Sequence, residues 1–176
     1  MAIEVELKAK VDDPDRIRNT LNQIAQHVRS YEKKDTYFTR QGLSGSLFRI
    51  RHDAGVCTVT YKKKSREDGI EVNREYEFNV SDELEFIGFC DYLGYTTYIE
   101  KKKTGDMYSY DQALVELTLV DQLGWFVEIE YIIDDESEID ISKEKLNKIL
   151  SDINISRAKI ESRYYMEILL EQKREG

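Results

Sequence analysis

Cysteine and histidine are nearly missing from this chain, and their scarcity removes several chemistries at once. Cys57 and Cys90 lie far apart, and neither has a histidine or second cysteine at zinc-ligand spacing, which argues against a zinc site and a disulfide framework. Ordinary reduced thiols are expected. His27, in a stretch that reads as helical, and His52, beside Arg51, have no second histidine at ligand spacing, so surface or packing roles are expected for both. No apolar run reaches membrane-spanning length, and no basic segment leads into one near the start. No membrane partner is expected, and the cytoplasm is the expected compartment. Positive charge is in the minority, with 26 Lys and Arg against 35 Asp and Glu and a net charge of -9. An acidic surface repels nucleic-acid backbone, so neither DNA nor RNA is expected as a partner.

What is present is the composition of a folded protein, with 40% hydrophobic residues over 176 positions. One domain spanning residues 1–176 is expected, because nothing in the chain marks a boundary. Asp13-Pro14 opens a helix expected to reach about Ser30, with Ile17, Leu21, Ile24 and Val28 on one face. Further helices are expected over 81–93, 142–152 and 161–172. The rest reads as strand: 2–11, 34–39, 46–53, 56–63, 71–80, 95–102, 107–111, 113–120 and 125–133, with turns at Gly42, Gly45, Gly55, Asp68-Gly69, Gly105 and Gly124.

The strands are unusual in their polar faces. Along residues 3–11, Ile3, Val5, Leu7, Ala9 and Val11 fall on one face, and Glu4, Glu6, Lys8 and Lys10 on the other. Two carboxylates followed by a lysine suit a divalent metal and the phosphate it carries, although one such row reads more simply as a solvated face. Recurrence changes that reading. Arg49 and Arg51 share a face, as do Lys62 and Lys64, Glu75 and Glu77, Lys101 and Lys103, Glu116 and Thr118, and Glu128 and Glu130. Signs are segregated strand by strand, which an indifferent wet surface does not require. A closed antiparallel barrel would turn all these rows into one lumen and leave the apolar faces outside beneath helices, giving an α+β, mostly β fold. Buried acid and base in such numbers call for metal and polyanion to complete the charge balance.

In these motifs the chain resembles the CYTH proteins, or triphosphate tunnel metalloenzymes, a family that includes class IV adenylyl cyclases and thiamine triphosphatases. The resemblance rests on Glu4-x-Glu6-x-Lys8, Asp35-Thr36-Tyr37-Phe38, Leu47-Phe48-Arg49-Ile50-Arg51, Thr60-Tyr61-Lys62, Arg74-Glu75-Tyr76-Glu77, Glu100-Lys101-Lys102-Lys103, Leu123-Gly124-Trp125-Phe126-Val127-Glu128-Ile129-Glu130 and Tyr165-Met166-Glu167-Ile168-Leu169-Leu170, in family order over nearly the whole chain. It implies an eight-stranded antiparallel tunnel. It also implies that Glu4, Glu6, Glu128 and Glu130 bind Mg2+ or Mn2+, and that Lys8, Arg49, Arg51, Lys62, Lys101 and Lys103 cradle a triphosphate. Lys64, Glu75 and Glu77 are second-tier candidates. Many relatives carry an aspartate where this chain has Thr118; Glu116 on the same face is the candidate replacement as base, and Lys62 is the cation assigned with it to catalysis.

The activity that the resemblance favours is that of a class IV adenylyl cyclase, taking ATP to cyclic AMP and pyrophosphate. The alternatives are a triphosphatase acting on tripolyphosphate, nucleoside or thiamine triphosphate, and a non-catalytic nucleotide or polyphosphate sensor. A homodimer is also open, since dimers are usual among the cyclase relatives.

Overall fold

A strand that alternates apolar and charged residues has one face to bury and one to hydrate. In the computed structural model, which describes residues 3–175, eight such strands meet both demands by closing on themselves. They are β1 (Ile3–Lys10), β2 (Gln26–Arg40), β3 (Phe48–Asp53), β4 (Val56–Glu67), β5 (Ile70–Val80), β6 (Tyr95–Tyr110), β7 (Ala113–Val120) and β8 (Gly124–Ile133). The barrel runs β1-β5-β4-β3-β2-β6-β7-β8, with every neighbouring pair antiparallel. Four helices accompany it: α1 (Pro14–Ile24), α2 (Glu83–Tyr92), α3 (Ile139–Asp152) and α4 (Tyr165–Glu175). This is the expected fold. Among the described residues no helix is long and apolar enough to cross a membrane.

The core lies outside the barrel wall. Val5 and Leu7 of β1, Val115 and Leu117 of β7, and Val127 and Ile129 of β8 pack beneath Ile17 and Leu21 of α1 and Leu146, Ile149 and Leu150 of α3. Each such side chain contributes roughly 1.5–3 kcal/mol on full burial. Across the barrel, Phe38, Ile50, Cys57 and Val59 pack with Cys90 of α2. Both cysteines are buried and unpaired. The chain entering α4 is different, because Tyr164, Tyr165 and Met166 line the lumen.

Two expectations about elements are corrected. The first helix ends at Ile24, and residues 26–40 are strand, because β2 pairs along its length with β6 and also with β3. Val28, counted on the helical face, is 51% exposed. His27 therefore lies on a strand, with Nε2 3.4 Å from Asp106. Gly105 is no turn either, since β6 runs unbroken from Tyr95 to Tyr110. A Cβ there would lie 2.2 Å from the Leu117 carbonyl oxygen, so glycine serves the close approach of β7. Two helix starts also move: α3 begins at Ile139, and α4 only at Tyr165. The chain before α4 is held extended, with Ile160 bridging Ala9 and the Glu161 N–H donating to the Lys8 carbonyl at 2.9 Å.

Candidate active site

The two-residue step carries sign as well as polarity around the barrel. The acids lining the lumen come from four neighbouring strands, β5, β1, β8 and β7, and the bases from the other four, β4, β3, β2 and β6. Two arcs of opposite sign thus face each other across a cavity of about 220 Å³. Among the described residues, Lys8 is the one lining base on the acidic arc. Its Nζ donates to Glu71 Oε1 at 2.7 Å.

On the acidic arc, register places Glu6 of β1 opposite Glu130 of β8. Carboxylate oxygens of Glu4, Glu6 and Glu130 lie within 4.8 Å of one another. Glu4 is compensated by Lys62 Nζ at 2.9 and 3.1 Å and by Asn73 Nδ2 at 2.9 Å. Glu6 and Glu130, among the described residues, have no cationic partner within 4.0 Å. Burial, then the charges of Glu4 and Glu128, push the Glu6 carboxyl up to about 7. Burial with Glu4 and Glu6 raises Glu130 well above its usual range. Crowded carboxylates, two of the three without a cationic partner and with no thiol or imidazole among them, fit a hard divalent cation such as Mg2+ or Mn2+. Glu128 stands apart from this group: it accepts from Lys103 Nζ at 2.6 Å and from the Tyr165 hydroxyl at 3.0 Å.

The basic arc is organised on carboxylates of its own and of its neighbour. Asp35 accepts from Arg51 Nε at 2.7 Å and Nη2 at 2.9 Å, with Lys101 Nζ at 3.0 Å and Arg49 Nη1 at 3.7 Å. Arg49 Nε is buried without a protein partner, a donor suited to an anionic oxygen. Lys33 and Lys103 converge on Glu116, Lys103 at 3.1 Å, and the Tyr31 hydroxyl donates to the same carboxylate at 2.9 Å. Burial acts against it, yet Lys103 and Lys33 hold Glu116 well below the usual carboxylate range. A weak proton acceptor results. Lys62, between Glu4 and Glu75, stays protonated in spite of its burial. Both expected catalytic groups are therefore fixed charges in this arrangement.

The comparisons agree with this geometry. The model of the CYTH domain matches residues 2–165. The chain belongs to the CYTH family. A Methanocaldococcus jannaschii protein, named provisionally as an adenylate cyclase, is 27% identical over 173 residues, which is 94% of this chain and 98% of that one. A solved Pyrococcus horikoshii protein, with no activity in its name, is 27% identical and superposes with a TM-score of 0.84 over 96% of this chain and 99% of its own. A Hippeastrum protein, provisionally an adenylyl cyclase and described as having a dominant triphosphatase activity, shares the fold at 14% identity, with a TM-score of 0.69 over 98% and 96% of the two chains.

Within the CYTH tunnel, Lys8, Arg49, Arg51, Lys62, Lys101 and Lys103 all line the cavity, as do Glu75 and Glu77. Glu75 pairs with Lys62, whereas Glu77, accepting from Thr60 at 2.7 Å, is half exposed. Lys64 is exposed outside the lining, with Nζ 4.2 Å from the centre of the Tyr164 ring. Thr118 is wholly buried opposite Gly105 and does not line the cavity, while Glu116 does. Lys33, Glu71 and the anchoring contacts of Asp35 escaped the sequence reading. Extending the Glu75, Glu77 row back by twos reaches Glu71. Lys33 was hidden because its strand was begun at residue 34, and the contacts of Asp35 because they are made across to β3 and β6.

Proposed function

We propose that this CYTH protein is a divalent-metal-dependent enzyme that hydrolyses inorganic tripolyphosphate or the triphosphate of ATP or a related organic compound. The observation that carries this reading is the facing of a carboxylate cluster, in which Glu6 and Glu130 have no cationic partner among the described residues, by a preformed wall of Arg49, Arg51 and Lys101. Carboxylates repel phosphate unless a cation intervenes, and guanidinium groups grip it. Mg2+ or Mn2+ held by Glu4, Glu6 and Glu130 would supply charge neutralisation at phosphate oxygens when bound.

The chain's own residues perform the rest of the work. Arg49 and Arg51 hold phosphate oxygens in place, with Arg49 Nε offering an unused donor. Lys8 and Lys62, kept protonated by neighbouring carboxylates, supply fixed positive charge. Phosphoryl transfer passes through a loose transition state in most analyses, so positioning and electrostatics carry most of the catalysis. A site whose Glu116 is a weak base suits that demand. The cavity of about 220 Å³ is smaller than pockets that enclose whole organic ligands, roughly 300–1,000 Å³, and matches a phosphate chain. The charged lining is satisfied by a phosphate chain alone, which favours hydrolysis over the cyclase first expected, whose ribose needs contacts of its own.

Cyclisation of ATP to cyclic AMP and pyrophosphate is the second reading, supported by the name of the Methanocaldococcus relative, which aligns over nearly its full length. A pure sensor would gain nothing from the acidic cluster. The test is product analysis after incubation with ATP and, separately, tripolyphosphate, each with Mg2+, with Mn2+ and with chelator. Orthophosphate formed only with metal is the expected result. Cyclic AMP with pyrophosphate would transfer the assignment to the second reading, and binding without any product would overturn both in favour of a sensor.

A further inference from the structure

Asp35 is an acid that the proposed reaction does not use, and at 1% exposure it is the most enclosed carboxylate of the barrel. It does not line the cavity. It sits behind the wall, where Arg51 grips it through Nε and Nη2, Lys101 reaches it at 3.0 Å, Arg49 stands at 3.7 Å and the Tyr37 hydroxyl at 3.4 Å. The bidentate contact fixes the guanidinium plane of Arg51 and leaves Nη1 outside it. Arg49 and Arg51 repel each other as closely placed, part-buried like charges. Three cations gathered this closely need an anion even before any phosphate arrives.

We infer that Asp35 is a positioning residue and built-in counter-anion, which keeps Arg49, Arg51 and Lys101 ordered in the empty tunnel and weakens their hold on phosphate so that product leaves. This rests on the hydrolase reading above. The two roles act in opposite directions. Removing the charge while keeping the shape raises the positive potential of the wall, so inorganic phosphate chains bind more tightly. Loss of the fixed arginine plane and slower product departure lower turnover. A merely structural aspartate would weaken binding and turnover together.

The experiment compares the wild-type protein with Asp35→Asn and Asp35→Glu. Calorimetry with inorganic pyrophosphate in chelator reads the wall alone, and steady-state rates with tripolyphosphate and Mg2+ read turnover. Asp35→Asn should bind pyrophosphate about tenfold more tightly, with kcat reduced by about tenfold. Asp35→Glu, which restores the charge and displaces it by one methylene, should return to wild-type pyrophosphate affinity with kcat still reduced. Unchanged or weakened affinity in Asp35→Asn, or an unchanged kcat, overturns the inference. Should circular dichroism show Asp35→Asn unfolded, Asp35→Glu decides, because tightened pyrophosphate binding or a wild-type kcat there also overturns it. A wild-type protein that cleaves no triphosphate, paired with a tightened Asp35→Asn, sinks the hydrolase reading and leaves the counter-anion standing. Wild-type protein that binds no pyrophosphate overturns both.

Discussion

The acidic and basic arcs of the barrel use the same device, alternate residues on neighbouring strands, yet they are neutralised in different ways. Arg51 and Lys101 share the buried Asp35, and Lys33 and Lys103 share Glu116, so much of the basic arc is ion-paired by the protein's own carboxylates. On the acidic arc Glu4, Glu71, Glu75, Glu116 and Glu128 each have a cationic partner, but among the described residues Glu6 and Glu130 have none within 4.0 Å. Unpaired buried charge is expensive, and here the imbalance sits on the side that a small cation can correct. The basic wall is organised in advance. The acidic wall leaves two carboxylates, Glu6 and Glu130, for a cation to complete.

The most severe way to break this contrast is to remove the imbalance itself. Glu4→Gln with Glu6→Gln should cut Mg2+-dependent turnover by about a thousandfold while the unfolding midpoint is maintained or raised, since like-charge repulsion is relieved. Wild-type turnover in that protein would sink the ligand assignment. The exception on the acidic arc offers the next test. Lys8→Met leaves Glu71 buried without its cation, with only the longer contact from Asn73 Nδ2 at 3.4 Å, and should cost about 3 kcal/mol in urea unfolding, most of it recovered by adding Glu71→Met. Failure of the second change to restore stability would mean that Lys8 matters through something other than its partner.

On the basic arc, Arg51→Ala should weaken tripolyphosphate binding by about thirtyfold, as loss of a charge-assisted contact implies, and unchanged affinity and rate would place Arg51 outside the cradle. The smallest effect lies outside both arcs. Arg163 donates to Glu161 at 2.9 and 2.7 Å, and that contact holds the Glu161 carboxyl down to about 2, against its burial. A depressed carboxyl stabilises the fold above its ordinary value near 4.5 and loses that contribution as pH falls through about 2. Glu161→Gln should therefore cost about 1 kcal/mol at pH 7, allowing for the half-exposed Arg163, with the difference shrinking as pH falls toward 2 and vanishing below it. A difference that persists in acid would show that the side chain acts through packing and not charge.

Much of the tunnel was legible because a strand repeats every two residues. Glu4 and Glu6, Arg49 and Arg51, and Glu128 and Glu130 advertise their shared faces directly. Lys33 did not, because the apolar spacing of Ile17, Leu21, Ile24 and Val28 mimics a helix that continues past its true end. Pairing with β6 and β3 overrides that local pattern, and no local signal reports it. Gly105 misleads for a related reason: its absent side chain answers to the backbone of β7, remote in sequence.

Sequence alone determined which residues carry charge and which face of its strand each one takes, since side-chain alternation is a property of any extended chain. That was enough for a barrel with a charged lumen and for the family resemblance. Only closure of the barrel decided which charges meet. The order β1-β5-β4-β3-β2-β6-β7-β8 brings the acidic strands together and the basic strands together, sets Glu128 against Lys103 and away from the metal-fitting group, and buries Asp35 among three cations. Those partnerships depend on strands far apart in the chain, joined by a register that hydrogen bonds around the whole barrel fix at once.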